Sequence, residues 1–292
     1  MTGQSLSKSW RDMTADEIRC HFDMRVAVPT GQEFVARYLE RSIITRNLLK
    51  SICDLRYGPG PRQTLDIFPA AQRSAPLVMF WHGGGWRYQS KDHFSYVAEP
   101  LVIAGVTAVL VGYDLHPEVT LPRMMSEACE AIVWTVRNAT TYGGDPARIT
   151  VCGHSAGAQL CGMALAHNFA MYGLPRSPVR GAFLISGSYD MGPHSRHERY
   201  LDMGLADGDL VNEVSPASNP PLDSGLRLVI AAGANETPGY IAQAESFCRK
   251  CASRGHEARV LLSPGDHHFS VIERLGDPKH EMTRALIELA RG

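Results

Sequence analysis

The sequence has no apolar run long enough to cross a bilayer, and its first eight residues lack the apolar core of a secretory signal peptide. It also lacks an excess of charge of either sign, since 29 Lys and Arg residues face 30 Asp and Glu residues. The resulting net charge of −1 provides no global field toward nucleic acid or an anionic membrane. These absences predict a cytoplasmic protein that acts on a small molecule.

The chain also lacks the cysteine pattern of a disulfide scaffold or a zinc site. Its seven cysteines are an odd number spread along the sequence, which indicates reduced and mostly buried thiols. Cys248 and Cys251 have the spacing of a redox or metal motif, but no second pair completes a zinc site. We therefore expect no metal.

Short apolar runs alternate with helical patterns from residue 64 onward, which predicts a mostly parallel sheet with helices on both faces. Of the 292 residues, 44% are hydrophobic, enough for the core of one large α/β domain. The predicted strands are 64–68, 77–81, 106–113, the run from 149, 179–186, 226–232 and 258–262. The predicted helices in this part are 123–140, 240–254 and 278–291.

Two segments flank or interrupt this pattern. Residues 1–50 are polar and favour helix, with a capping box predicted at 14–17 and a helix over 35–50, so they form an N-terminal arm or cap before a domain at 51–292. Residues 187–225 are rich in Pro, Ser, His and charge. This stretch is too long for a simple connection and predicts a lid over the site.

Residues 153–157 read Gly-His-Ser-Ala-Gly and follow a β-branched run that passes into a small-residue helix. Strand, sharp turn and helix are the context of a nucleophile elbow, in which strain exposes the serine Oγ. We expect Ser155 to be the nucleophile. Gly153 and Gly157 are expected because a Cβ at either place would collide with a neighbouring strand or helix.

A second glycine-rich motif, His-Gly-Gly-Gly-Trp at residues 82–86, ends the buried run 77–81. Its backbone N–H groups at Gly84 and Gly85, with that of Ala156, would form an oxyanion hole. The alternative is a phosphate-binding loop. No Lys-Ser or Lys-Thr pair follows the glycines, however, and Trp86 stands there instead.

A serine nucleophile needs a base and an acid that orients it. His267 and His268 both follow the last predicted strand, and either can serve as the base. Glu236 and Asp190 both follow earlier strands, and the chain order serine, acid, histidine holds for either one. Residue order alone leaves both choices open.

Together these motifs resemble the α/β-hydrolase superfamily, in particular its arylformamidase branch near the hormone-sensitive-lipase-like carboxylesterases. The resemblance covers about residues 54–290 and implies an α/β-hydrolase fold. The motifs that carry it are 65–69, 82–86, 113–118, 143–146, 153–157, 186–190 and 268–269.

The resemblance implies a triad of Ser155, Glu236 and His268. The branch carries its acid in a loop similar to residues 235–238, and its histidine precedes a phenylalanine, as His268 does. Aspartate is usual where Glu236 stands, so the longer side chain is a departure, and Asp190 is the fallback. No metal or organic cofactor is implied. A homodimer fits the branch, although no stretch of the chain specifies one.

The resemblance further implies hydrolysis of an aryl N-formyl amide, such as N-formylkynurenine, through an acyl-enzyme. Such a substrate needs an apolar aromatic wall. The candidate substrate-binding residues lie beside the proposed catalytic loops, and Trp86 is the strongest of them; core packing is the alternative for each. The candidates are Trp81, Trp86, Tyr88, Tyr189 and Phe269.

Three other interpretations stay open at this point. His116 stands where relatives tend to carry a small residue, and residues 194–199 are rich in His and Arg, so a cationic lid could pair with a substrate carboxylate, as in an N-acylanthranilate. The alternative for that stretch is a solvated charged loop. A short-acyl carboxylesterase would use the same triad. A non-catalytic ligand-binding protein with the hydrolase fold would have lost a triad member, but every role has a candidate here.

Overall fold

The structure is a computed structural model that describes residues 9–223 and 225–292. The predicted arm begins at residue 1 and the predicted lid includes Ser224, so those parts of both predictions lie outside the described residues. Within the described ranges, every helix is too short or too polar to cross a bilayer.

One eight-stranded sheet forms the centre of the described chain. Its strands are β1 (Ile52–Arg56), β2 (Thr64–Phe68), β3 (Ala75–Trp81), β4 (Thr107–Val111), β5 (Gly144–His154), β6 (Val179–Ile185), β7 (Arg227–Gly233) and β8 (Glu257–Ser263). They lie in the order β1-β2-β4-β3-β5-β6-β7-β8. The pairs β1–β2 and β2–β4 are antiparallel, and the other five pairs are parallel.

Helices cover both faces of this sheet. The α-helices of the described ranges are α1 (Ala15–Phe22), α2 (Met24–Ala27), α3 (Gly31–Leu48), α4 (Ala98–Ile103), α5 (Leu121–Asn138), α6 (Ala156–Leu165), α7 (Gly208–Glu213), α8 (Pro238–Ser253), α9 (Ser270–Glu273) and α10 (Glu281–Arg291). On β3, Leu77 and Met79 belong to the apolar cluster that includes residues of α5, α6 and α8, whereas Val78 and Phe80 belong to the cluster that includes residues of α3, α4 and α10. Successive residues of a strand point to opposite faces, so β3 is apolar throughout. The predicted α/β-hydrolase architecture is confirmed.

Local details differ from the sequence-based prediction at the edges of elements. Strand β1 was not predicted, because its residues are half-buried or exposed and its register shifts between Ile52 and Leu55. Helix α3 begins at Gly31 rather than at residue 35. The predicted capping box is present: the Thr14 side chain accepts from the Glu17 N–H, and the Glu17 carboxylate accepts from the Thr14 N–H.

Parallel pairing brings four loops to one edge of the sheet. Gly84 follows β3, Ser155 follows β5, Glu236 follows β7 and His268 follows β8. Because the carboxyl ends of parallel strands lie at the same edge, these loops converge there. Helices α1 and α2 pack above this edge through a small apolar cluster that includes Tyr240 of α8.

Candidate active site

Ser155 lies at a sharp junction between β5 and α6. Its φ of 54° and ψ of −118° place it in a conformation that L-residues rarely adopt. The flanking glycines allow the turn, because a Cβ on Gly153 would lie 2.5 Å from the carbonyl carbon of Gly157. A Cβ on Gly157 would lie 2.2 Å from the carbonyl oxygen of Trp81. The collision expected from the sequence is therefore present at both positions.

A continuous hydrogen-bonded chain joins three of the predicted residues. Ser155 Oγ lies 3.0 Å from Nε2 of His268, and Nδ1 of His268 lies 3.0 Å from Oε2 of Glu236. All three side chains are buried. With a proton on Nδ1 donated to the carboxylate, the Nε2 lone pair accepts the serine O–H, which is the orientation that a general base requires.

The longer acid is accommodated by two donors behind it. Glu236 Oε1 accepts a hydrogen bond from the N–H of Gly233 at 3.0 Å and another from the hydroxyl of Ser186. Ser186 itself has a φ of 52°, and its N–H donates to the carbonyl of Ala231. These contacts hold one carboxylate oxygen and leave the other directed at His268.

The competing residues lie elsewhere. Nδ1 of His267 accepts from the N–H groups of Phe269 and Ser270, and its ring packs edge-on against Phe34. The Asp190 carboxylate accepts from Nε1 of Trp10 at 2.8 Å, so the fallback acid does not reach the imidazole. Of the two histidines and two acids, the structure brings only His268 and Glu236 to Ser155.

The glycine-rich loop presents free backbone donors beside Ser155. No hydrogen bond within the described residues uses the amide N–H of Gly84, Gly85 or Ala156. Gly84 has a φ of 115°, and a Cβ there would lie 2.1 Å from the carbonyl oxygen of Tyr88, so only glycine fits. Unpaired N–H groups at this place are what an oxyanion hole needs.

A cavity of about 510 Å³ opens onto this arrangement. Its wall includes three of the aromatic residues predicted to contact substrate: Trp86, Tyr88 and Phe269. The indole of Trp86 is fixed, because its Nε1 donates to Oε1 of Gln159 at 3.0 Å. Tyr88 is 56% exposed and lies at the outer end of the wall.

Two predicted aromatic contacts are corrected by the structure. Tyr189 does not line the cavity, because its ring is stacked on Phe247 at 4.5 Å and its hydroxyl donates to the carbonyl of Leu184. Trp81 is fully buried in the core beneath the site. Both residues are adjacent to a proposed catalytic loop in the sequence, but their side chains point into the core.

Several wall residues were not identified from the sequence. The predicted arm was assigned no contact with substrate, yet it supplies part of the wall, and the predicted lid and α8 supply more. These residues are Phe22, Met24, Val35, Tyr38, Tyr200 and Tyr240. The local sequence carries no signal for them because they reach the cavity only through tertiary packing of distant segments.

Two buried histidines, His82 and His154, lie next to the site. Nε2 of His154 donates to the carbonyl of His268 at 2.9 Å, and burial lowers the pKa of His154 well below its usual value. Burial likewise lowers the pKa of His82 to about 3, and its Nδ1 lies 2.7 Å from the carbonyl of Gly83. Both rings are therefore uncharged at neutral pH and contribute hydrogen bonds and packing rather than charge.

The cysteines lie apart from the site. Cys248 and Cys251 are buried on α8 with free thiols, and burial raises the pKa of Cys251 to about 12. Within residues 9–223 and 225–292, no group of three or more His, Cys, Asp or Glu side chains is arranged to hold a metal ion.

Comparisons with known proteins show what the chain is similar to. A kynurenine formamidase from Salmo salar is 29% identical over 297 residues, covering 96% of this chain and 98% of that protein. One from Danio rerio is 27% identical with the same coverage. The solved structure of a putative thioesterase from a Silicibacter species has a TM-score of 0.80 at 23% identity, covering 93% of this chain and 97% of that one, which shows a shared fold. Residues 78–268 match the family described as alpha/beta hydrolase fold, and since this match spans more than half of the sequence, the chain belongs to that family.

Proposed function

We propose that this protein is a serine hydrolase that cleaves an aryl N-formyl or short N-acyl amide, such as N-formylkynurenine, through an acyl-enzyme. The observation that carries the proposal is the hydrogen-bonded chain from Ser155 through His268 to Glu236, which opens on an aromatic-lined cavity. The substrate class is supported by the two relatives named kynurenine formamidase, which align with nearly the whole chain.

In the first half-reaction Ser155 Oγ attacks the carbonyl carbon of the formamide, and His268 takes the hydroxyl proton on Nε2. Negative charge moves onto the carbonyl oxygen, where the N–H groups of Gly84, Gly85 and Ala156 stabilise it. Each such donor contributes roughly 10²–10³ in rate. The imidazolium, held by Glu236, then protonates the aryl nitrogen, and the arylamine leaves.

In the second half-reaction water attacks the formyl ester on Ser155. His268 accepts a proton from that water, the same backbone donors stabilise the oxyanion, and formate departs as the proton returns to Ser155 Oγ. The balanced products are formate and the free arylamine. Every step uses residues of this chain.

The cavity suits an aryl amide because its wall combines apolar and aromatic side chains with a few polar groups. Trp86 and Phe269 lie beside the glycine-rich loop and His268, respectively. An aryl ring attached to the scissile nitrogen would lie against these side chains when the carbonyl oxygen occupies the oxyanion hole. Contacts of this type fix the orientation of the amide for attack.

The proposal is tested by comparing kcat/KM for N-formylkynurenine, N-formylanthranilate, N-acetylanthranilate and p-nitrophenyl acetate. The Ser155→Ala variant is the blank, and we expect it to lose about 10⁴- to 10⁶-fold in activity while its circular dichroism spectrum and Tm stay unchanged. We expect the formylated aryl amides to be preferred to the activated ester by several orders of magnitude.

The opposite ranking would identify a different enzyme. If p-nitrophenyl acetate is turned over rapidly and the amides are barely cleaved, the protein is a short-acyl carboxylesterase with the same triad. A strong preference for the acetylated over the formylated anthranilate would instead indicate an N-acylanthranilate amidohydrolase. Substantial activity in Ser155→Ala would contradict the nucleophile itself.

A further inference from the structure

Arg199 stands out among the cations of the cavity because no acidic side chain of the described residues pairs with it. It lines the wall, its Nε is buried, and that atom has no hydrogen-bond partner in the described part of the chain. Arg25 also lines the wall, but it is paired with Asp23 through contacts of 2.7 and 3.1 Å. Among the described residues of the wall, Asp23 is the one carboxylate, so two guanidinium groups face a single acid.

The backbone around Arg199 is fixed to the glycine-rich loop. Nη2 of Arg87, three residues after Gly84, donates to the carbonyl of Arg199 at 3.0 Å. The same nitrogen pairs with Asp202, three residues after Arg199 in the chain. A Cβ placed on Gly85 would lie 3.9 Å from Nη2 of Arg199. The guanidinium is therefore held beside the proposed oxyanion donors.

Aromatic contacts orient this side chain without using its N–H donors. The guanidinium carbon lies 5.4 Å from the ring centre of Tyr88 and 5.8 Å from that of Tyr200. A cation–π contact forms no hydrogen bond with an N–H group, so the donors of the guanidinium stay available for a ligand. A planar fork of free donors matches a carboxylate.

We propose that Arg199 recognises a carboxylate of the substrate. The inference rests on the proposed function, since it takes this cavity as the place where the amide or ester binds. A carbonyl oxygen bound at Gly84, Gly85 and Ala156 places the remainder of the substrate next to Arg199. An acid group elsewhere on the molecule then pairs with the guanidinium. Arg199 is a specificity residue that selects carboxylate-bearing aryl amides over neutral ones.

The test measures kcat and KM for substrates with and without a carboxylate. N-formylkynurenine carries its carboxylate on an aliphatic side chain, N-formylanthranilate carries it on the ring, and formanilide has none. We expect Arg199→Gln to lower kcat/KM for a carboxylate substrate by roughly 10- to 150-fold, the range for losing a hydrogen bond between charged groups. Formanilide hydrolysis stays unchanged. Arg199→Lys, which keeps the charge but not the fork, recovers part of the loss.

Arg196→Gln is the matched control, because Arg196 belongs to the same cationic segment but donates to the carbonyls of Trp10 and Arg11 outside the cavity wall. We expect it to leave the ratio between carboxylate and neutral substrates unchanged. A loss confined to N-formylkynurenine places the aliphatic carboxylate at Arg199, and a loss confined to N-formylanthranilate places the ring carboxylate there. Equal losses for formanilide and both acids, or no loss at all, overturn the proposal.

A second pair of substrates distinguishes a failure of carboxylate recognition from a failure of the proposed function. If the wild-type protein cleaves no formamide, the same comparison with 2-acetoxybenzoate and phenyl acetate tests Arg199 on an ester pair that differs in a ring carboxylate. Arg199→Gln is then expected to lower kcat/KM for 2-acetoxybenzoate alone. An equal effect on both esters would contradict carboxylate recognition whatever the acyl chemistry.

Discussion

The two sides of the cavity are assembled in different ways. The proposed reaction side consists of Ser155, Glu236 and His268, each a few residues beyond the end of a parallel strand. The proposed recognition side combines Phe22 from the N-terminal helices with Arg199 from the stretch between β6 and β7, far away in the chain. One edge of the sheet thus positions the proposed reacting groups, whereas segments distant in the chain form the rest of the cavity wall.

The largest effect expected from a conservative change on the reaction side is that of Glu236→Gln. An amide cannot hold the imidazolium or fix its tautomer, so kcat should fall by about 10⁴-fold with little change in KM. Steady-state kinetics with N-formylkynurenine would measure this loss. Asp190→Asn is the matched control, because Asp190 pairs with Trp10 and not with the imidazole.

Together, the two variants test whether Glu236 or Asp190 is the acid of the reaction side. If Asp190→Asn removed activity and Glu236→Gln did not, the acid would have been assigned to the wrong loop. The hydrogen bond between His268 and Glu236 would then have no role in catalysis.

The elbow and the glycine-rich loop of the proposed reaction side could be identified from the sequence because each is a local motif. The elbow needs glycines at positions 153 and 157, and the oxyanion loop needs positive φ, requirements that act within a few residues. The choice between Glu236 and Asp190 could be made only by resemblance, since both follow strands. The geometry then shows how Ser186 and the Gly233 N–H accommodate the longer acid.

The recognition side was predicted only in part. Trp86, Tyr88 and Phe269 were named from the sequence and line the cavity. Arg199 belongs to the cationic stretch 194–199, whose pairing with a substrate carboxylate was one of the open interpretations.

Tyr189 follows a strand near the site, but its ring packs on Phe247, because a helix covers that face of the sheet. Phe22 lies in a short amphipathic helix with nothing local to distinguish a cavity wall from a core. Edge strand β1 was missed for a related reason, since its exposed residues show no regular alternation.

A smaller change tests whether the N-terminal helices contribute to recognition. Phe22→Leu removes an aromatic face from the wall, and we expect KM for N-formylkynurenine to rise by roughly 5- to 10-fold. Hydrolysis of p-nitrophenyl acetate, which is smaller, should stay unchanged. Phe183→Leu is the control, because Phe183 is equally buried but lies in the core away from the cavity.

Both phenylalanine variants should lose about 1 kcal/mol of unfolding free energy, measured by urea denaturation. This common loss separates a general loss of stability from an effect on binding. If both variants raised KM equally, Phe22 would be a core residue without a part in recognition.

The last prediction concerns the stability of the protein against acid. Burial lowers the pKa of His82 and of His194 to about 3 and that of His154 well below 6.5. Below pH 6.5 the unfolded chain therefore binds protons that the folded protein does not. As the pH falls below 6.5, the free energy of unfolding should therefore decrease by up to about 1.4 kcal/mol per pH unit for each such histidine.

Urea denaturation at pH 7 and pH 5.5 measures this dependence. His194 is not a cavity-wall residue, but its ring contacts Trp86 and Tyr200 of that wall. The His194→Gln variant should therefore show a shallower pH dependence than the wild-type protein. Equal or greater stability of the wild-type protein at pH 5.5 would contradict the direction of these pKa shifts.

Inactivation by a fluorophosphonate would show whether Ser155 is the nucleophile. We expect hydrolysis of N-formylkynurenine to decline in proportion to the fraction of Ser155 modified, as measured by peptide mass spectrometry. Ser155→Ala should take up no reagent at this position. Activity that persists after complete modification of Ser155, or inactivation while Ser155 remains free, would show that another residue is the nucleophile.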